Sequence, residues 1–234
     1  MTVLDSHSLP LVDLESATFD AEHLMAHVAR VSNPANQSNP KISKLLRYCI
    51  QHGHWSVFEH SHMTLKITTN LAIATQILRH RSFTFAQLSR RYAGQEECPV
   101  DIQLPHLRAP HPKNRQESLD TLPTTISKWF EGKLEKHFLE AEILYNDMLT
   151  HGIAKECARA VLPQASSTTL YMTGNCRSWV HYICLRASNG TQLEHRQVAL
   201  KAQEVFRDVF PNVSDALDEL HWDLMPTTPT TTSK

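Results

Sequence analysis

Residues 79 to 92 read RHRSFTFAQLSRRY and hold four of the chain's 13 arginines, Arg79, Arg81, Arg90 and Arg91, interleaved with Ser82, Ser89 and Gln87. Planar, permanently charged guanidinium forks beside hydroxyls and an amide are a donor set that grips phosphate or diphosphate. Such a set would be needed here, because the chain contains no GxGxxG and no GxxxxGK[ST] loop to hold phosphate on glycine amides. The plainer alternative is that Arg79 and Arg81 complement the negative end of a helix, and charge alone does not separate the two. A second cluster runs from His52 to His62, HGHWSVFEHSH, and places His52, His54, Glu59, His60 and His62 inside 11 residues. Two His-x-His pairs invite a zinc or iron reading. However, only His60 and His62 would share one side of a strand beginning near Ser61, whereas His52 and His54 straddle a helix-ending glycine. Packing and hydrogen bonding is the better reading of this cluster. A third run, Asn175 to Arg186, carries Arg177 and His181 four apart on one helix face, with Arg186 nine residues on. That spacing puts Arg186 about half a turn round and roughly 13 Å along the axis, so Arg177 and Arg186 should serve different points. The commoner fate of both arginines is a surface ion pair, with Glu156 or Glu194 as candidates.

These clusters need elements to place them. Ile42, Leu45, Leu46 and Cys49 predict a helix from Lys41 to about Gln51, with Asn39 as cap, Pro40 in the first turn and Gly53 as the left-handed stop. Leu24, Val28 and Val31 predict an earlier helix over about Asp20 to Val31, ended by Asn33-Pro34. Met63, Leu65 and Ile67 alternate with Thr64, Lys66 and Thr68, the pattern of a half-buried strand. Asn70 then opens a helix from Leu71 to about Arg81. Residues 93 to 116, with Pro99, Pro105, Pro110 and Pro112, form an irregular loop long enough to suggest function. The spacing of Ile126, Phe130, Leu134, Phe138, Ala141, Leu144 and Leu149 predicts a helix from about Thr124 to Thr150, ended by Gly152. A short helix from Ala154 to Val161 follows, then an extended stretch at Thr168, Leu170 and Met172. Asn175 caps a helix to about Ser188, and Gln192 to Phe210 is another, closed by Pro211. The Thr- and Pro-rich tail 226–234 is expected to be disordered. The sum is one helix-rich α+β domain over residues 1–225, without internal repeats.

A length of 234 residues allows one large domain or two small ones. Lys+Arg 23 against Asp+Glu 24 gives a net charge of -1, which removes the electrostatic case for a nucleic-acid-coating protein or a polybasic membrane binder. Any anionic ligand must be met by a local cluster. Cys49, Cys98, Cys157, Cys176 and Cys184 are odd in number and form no C-x-x-C, which reads as reduced thiols. With no apolar run near the roughly 18 residues of a membrane span and no signal-like start, a cytoplasmic location is expected.

Taken together, the clusters resemble the flavin-dependent thymidylate synthases. That family's pattern is Arg-His-Arg, seven residues, then Ser, and Arg79-His80-Arg81 with Ser89 fits it without a gap. The likeness continues through Ala29-Arg30-Val31-Ser32, His52-Gly53-His54 with Phe58-Glu59-His60, residues 158–163 (ARAVLP), and Asn175 with Arg177-Ser178 through Leu185-Arg186, spanning residues 29 to about 200. The resemblance implies a central antiparallel sheet flanked by helices, and reductive methylation of dUMP to dTMP. It implies FAD, NADPH as reductant and 5,10-methylenetetrahydrofolate as carbon donor, in a homotetramer whose sites are shared between subunits, without a metal. By the same resemblance, Ser56, Arg79, His80, Arg81, Asn175, Cys176, Arg177 and His181 match positions that hold FAD, and Gln87 one near both ligands. Gln76, Ile77, Leu78, Arg79, Gln87, Leu88, Ser89, Arg90, Arg91, Arg159 and Arg186 match the deoxyuridylate site, with Arg186 as the active-site residue. The chemistry is coherent: placing a methyl group on uracil C5 needs a one-carbon unit and two electrons, which a flavin carries and no side chain can. Arg186 would stabilise negative charge on the pyrimidine edge as N3 ionises. Ser89 lacks a neighbouring base, so hydrogen bonding to substrate suits it better than attack as a nucleophile. Gln87 stands where many relatives have Glu. Arg90 stands where a small residue is frequent, so its backbone amide is expected to matter and its side chain to lie in solvent. Two other classes remain open: a helical scaffold whose arginines bind an acidic partner, and a metallohydrolase built on His52, His54, His60 and His62.

Overall fold

Alternation at Met63, Leu65 and Ile67 does produce a strand, and it is one of the two inner strands of the main sheet. The computed structural model describes residues 3–4, 10–93 and 101–222. In chain order the elements are β1 (Val3–Leu4), β2 (Leu11–Ala17), α1 (Ala21–Ala29), α2 (Ser43–Gln51), β3 (His62–Asn70), α3 (Leu71–Ile77), β4 (Thr84–Gln87), β5 (Ile102–Gln103), β6 (Ala109–Pro110), β7 (Ser118–Leu119), α4 (Thr124–Thr150), α5 (Lys155–Ala158), β8 (Ser167–Asn175), α6 (Cys176–Arg186), α7 (Leu193–Val209) and α8 (Pro211–Asp218). Short 3-10 turns occupy Pro34–Asn36, Trp55–Glu59 and Arg159–Val161.

The sheet has the order β2-β3-β8-β4, antiparallel throughout. One face of β3 and β8 carries Met63, Leu65, Ile67, Leu170 and Met172, all fully buried. Helices α1, α2, α3, α6, α7 and α8 supply the other side of this core, with Trp179, Tyr182, Phe206 and Phe210 as its largest pieces. The opposite face of the sheet is half-buried and polar, with hydroxyl pairs Thr64–Thr173 at 2.9 Å and Thr68–Thr169 at 3.2 Å across the strands. The α+β class and the antiparallel central sheet expected above are what the structure has. The stretch 93–116 read as irregular loop contains two short strands, β5, which pairs with β1, and β6, which pairs with β7; residues 94–100 of it lie outside the described residues. The tail 226–234 also lies outside them.

Several boundaries differ from expectation for local reasons. Helix α2 begins at Ser43, because Asn39 spends its side chain on an Asx turn to the Lys41 amide at 2.9 Å and does not cap the helix. Gly53, with φ 69°, does end that run. Helix α3 stops at Ile77, so Arg79-His80-Arg81 leaves the helix and forms a turn instead of a last helical face. Asn70 caps its start through the Ile73 amide at 3.0 Å. Strands β2 and β4 were not anticipated: both are edge strands with largely exposed residues, and neither shows a clean alternation. Pro211, read as a terminator, sits in the first turn of an extra helix, α8. Glu22 braces that turn from α1, accepting from the Val213 amide at 2.8 Å and from Asn212 Nδ2 at 2.5 Å. Among the described residues, no helix is long and apolar enough to cross a membrane.

Candidate active site

The turn at residues 78–82 and helix α6 come together because both pack on the same aromatic cluster. Phe83 lies edge-on to Trp179 at 4.8 Å and to Tyr182 at 5.9 Å, and Trp179 Nε1 donates to the Met63 carbonyl at 2.9 Å, tying α6 to the middle of the sheet. Gly174 lets Phe83 approach, since a Cβ there would meet the Phe83 ring at 2.5 Å. Asn175 starts α6 by accepting from the Ser178 amide at 2.8 Å, and the Ser178 hydroxyl donates to the Ser82 carbonyl at 3.3 Å.

Two recesses flank this junction. The larger, about 1070 Å³, is lined by Trp55, Glu59, Ser82, Asn175, Arg177 and His181 among others, with apolar Val180 and Ile183 behind them. The smaller, about 610 Å³, is lined by Ala72, Thr75, Gln76, Arg79, Gln164 and Arg186. Arg177 and Arg186 thus serve separate recesses, as their half-turn offset along α6 predicts. Arg177 ion-pairs with Glu59, and both side chains are about half exposed. The partners considered above went elsewhere: Glu156 meets Arg91 at 3.4 Å, and Glu194 takes Arg108 through two bonds of 2.7 and 3.1 Å.

His80 lines neither recess but is bonded to Arg186, which lines the smaller one. Arg186 Nε donates to His80 Nε2 at 3.0 Å, so the ring must be neutral, with its proton on Nδ1. Burial, then the Arg186 charge, then His181, push its basicity down to about 4. Behind it, fully buried His195 bridges Tyr182 Oη at 3.1 Å and Gln76 Oε1 at 3.2 Å, and burial, then the Arg186 charge, then the neighbouring His80 ring, lower it to about 3. Burial also raises the Tyr182 phenol far above its usual range, against a smaller opposing effect of Arg186. Tyr182, Gln192, His195 and the Arg108–Glu194 pair escape a sequence reading, because a buried histidine on an apolar helix face looks like core until its partners are known.

The remaining expected site residues are dispersed. Ser56 lies exposed in the 3-10 turn, and Arg81 and Arg79 are exposed on the turn after α3. Ile77 and Cys176 point into the core at 0 % exposure, and burial holds the Cys176 thiol well above its ordinary range. Leu78 is partly exposed beside them. Gln87, Leu88, Ser89, Arg90 and Arg91 continue from β4, where the Leu88 amide donates to the Thr169 carbonyl at 2.9 Å and Gln87 Nε2 reaches Thr168 Oγ1 at 3.3 Å. Ser89 Oγ accepts the Arg91 amide at 3.4 Å. Arg90 corrects the expectation of a solvated side chain: it is 7 % exposed, and its guanidinium folds back to donate to the carbonyl of Ser167, the first residue of β8, at 3.4 Å, a backbone acceptor that draws the side chain inward. Arg159 is exposed on its 3-10 turn. None of Gln87, Ser89, Arg90, Arg91 and Arg159 lines either recess.

The histidine cluster does not converge. His52 stacks on Tyr48 at 3.9 Å, His54 lies 6.2 Å from His52, and His60 ends the 3-10 turn before β3. Among the described residues, no three His, Cys, Asp or Glu side chains are placed to hold a metal ion.

Comparison with known proteins gives this geometry its context. Residues 13–212 match the family model described as thymidylate synthase complementing protein. Over 199 residues, 85 % of this chain and 91 % of the relative, it is 51 % identical to a probable flavin-dependent thymidylate synthase of Paramecium bursaria Chlorella virus 1. It is 46 % identical over 209 residues, 89 % of this chain and 95 % of the relative, to the flavin-dependent thymidylate synthase of Synechocystis. In structure it resembles the UMP/dUMP methylase PolB of Streptomyces cacaoi, solved with 5-Br dUMP, at a TM-score of 0.79 and 25 % identity, covering 91 % of this chain and 96 % of that one. With the Arg-His-Arg turn and α6 joined through His80 and Arg186, and with these relatives matched along nearly their whole length, the chain belongs to the flavin-dependent thymidylate synthase family, enzymes that methylate dUMP to dTMP.

Proposed function

We propose that this chain makes dTMP in the cytoplasm with FAD bound in the larger recess and dUMP in the smaller one, using 5,10-methylenetetrahydrofolate as carbon donor and NADPH as reductant. The observation that carries the reading is the Arg186–His80 bond, which holds an arginine at the mouth of a recess that also offers Gln76 and Arg79. With Nε engaged by His80, the terminal amino groups of Arg186 are the part left for a ligand. A guanidinium keeps its protons at working pH, so Arg186 stabilises negative charge on the pyrimidine and does not shuttle a proton. Arg79, on the same recess, is a donor for the nucleotide phosphate.

The larger recess suits a flavin by the chemistry of its walls. Arg177 and the N-terminus of α6 favour an anionic group, His181 and the Asn175 amide add hydrogen-bonding capacity, and Trp55, Val180 and Ile183 form an apolar wall for a planar ring. Bound there, the flavin would supply the two-electron chemistry that side chains lack. His80, bonded to Arg186, keeps a fixed neutral tautomer behind the smaller recess.

Two features support an assembly of several copies. Ser89, Arg91 and Arg159, matched to the nucleotide site, are separated from the recess of their own chain. Ile126, Trp129, Phe130, Ile143 and Leu144 of α4 are each more than 40 % exposed, an apolar surface of the kind that subunits cover. A homotetramer whose sites draw residues from neighbouring chains accounts for both.

The test is the visible spectrum of the purified protein. A flavin spectrum should bleach with anaerobic NADPH and recover when dUMP and methylenetetrahydrofolate are both supplied. A protein that stays colourless after incubation with FAD would overturn the reading and favour the anion-binding scaffold.

A further inference from the structure

Gln76 reaches the smaller recess from α3 with both ends of its carboxamide already engaged. Its Nε2 donates to Gln192 Oε1 at 2.7 Å, and its Oε1 faces His195 Nδ1 at 3.2 Å. The polarity of this chain of bonds can be traced from one end. Glu194 is an acceptor only: burial would raise its carboxyl, but hydrogen bonds from Arg108, its own backbone and Gln192, with the Arg108 charge, hold it below its usual range. Gln192 must then turn its Nε2 toward Glu194, at 2.9 Å, which leaves its Oε1 to accept from Gln76. Gln76 therefore presents Oε1 to His195, whose Nδ1 must donate, and His195 Nε2 accepts from the Tyr182 hydroxyl at 3.1 Å. Each amide and ring has one orientation because a carboxylate fixes the first.

We propose that His195 and Gln192 are positioning residues that clamp the Gln76 carboxamide in a single orientation for the nucleotide bound beside Arg186. The inference rests on the smaller recess being the dUMP site. An unclamped amide can flip and exchange donor for acceptor, and a ligand would then have to select one form. The clamp removes that cost. What remains for the ligand is one Nε2 hydrogen and one Oε1 lone pair at fixed places. His195 is 0 % exposed and touches no recess, so its influence on substrate passes through Gln76.

The experiment compares flavin-loaded wild type with His195→Leu, His195→Asn and Gln192→Ala, measuring dUMP affinity by calorimetry together with kcat and KM for dUMP. His195→Leu should raise Kd and KM for dUMP about tenfold, the equivalent of one lost hydrogen bond, with a much smaller change in kcat and unchanged flavin content. His195→Asn carries an amide N–H on the atom that replaces Nδ1 and should recover most of that loss. Gln192 is exposed, so Gln192→Ala keeps the test open if the buried leucine variant fails to fold, and it too should weaken dUMP about tenfold. Wild-type dUMP affinity in a folded His195→Leu or in Gln192→Ala, or equal losses in the Asn and Leu variants, would overturn the clamp. If wild type itself does not bind dUMP, the site assignment fails instead. If wild type binds it, Arg186→Ala loses turnover and the three clamp variants bind normally, only the clamp fails.

Discussion

Arg186 Nε and His80 Nε2 lie 3.0 Å apart, which joins the last residue of α6 to the turn that follows α3 and makes each dependent on the other's charge state. The histidine can accept only while neutral. The arginine, always charged, keeps it so.

Stability should therefore fall with acid in a predictable window. His80 and His195 have folded-state values of about 4 and about 3, against 6.5 for a free ring. Above pH 6.5 both folded and unfolded chains hold neutral rings, and neither residue affects stability. As pH drops below 6.5 the unfolded chain takes up protons that the native state refuses, so stability declines, levelling off for His80 near pH 4 and for His195 near pH 3. Denaturation midpoints at pH 7, 5.5 and 4.5 should fall in that order, and the decline should be shallower in His80→Gln.

Removing the Arg186 side chain should cut dUMP turnover by at least about a hundredfold while flavin content is retained. The same change removes a positive neighbour of His80, so the His80 ring, followed by NMR, should titrate at higher pH in Arg186→Ala than in wild type. Arg186→Lys should not rescue turnover, because lysine has no Nε–H to share with His80 while reaching the recess.

Glu59 competes with any anion for Arg177. Since both side chains are about half exposed, the pair contributes little to stability, and Glu59→Gln should leave the melting temperature nearly unchanged. Releasing the arginine should tighten FAD by roughly two- to fivefold at low salt, with the gain fading as salt is added. Fluorescence titration of the deflavinated protein would measure it.

Gly174→Ala should destabilise the fold by about 1–3 kcal/mol, because the new Cβ would meet the Phe83 ring at 2.5 Å and displace the turn that carries His80. Chemical denaturation would register the loss, and the shift should also lower activity in protein that remains folded.

Ser89 has the Arg91 amide on its hydroxyl and no described base bonded to it. Ser89→Ala should keep turnover within about tenfold of wild type, the cost of one hydrogen bond. A folded Ser89→Ala protein that binds both ligands and makes no dTMP would restore the nucleophile reading.

The sequence alone determined the periodic elements and the motif. Helix α4 runs from Thr124 to Thr150 as its apolar spacing requires, β3 follows its alternation, and Asn70 and Asn175 cap the helices they precede. These are local effects, encoded within a few residues. The split of Arg177 from Arg186 was legible for the same reason, since helix geometry acts over nine positions of one segment. Tertiary structure alone decided that Arg186 locks onto His80, that Arg90 turns inward, and that Gln76, His195, Gln192 and Glu194 form one directed chain. Gln76 and Gln192 are 116 residues apart, and a hydrogen bond has no period in sequence. Its partners are chosen by packing, and each orientation follows from the acceptor-only carboxylate at its end.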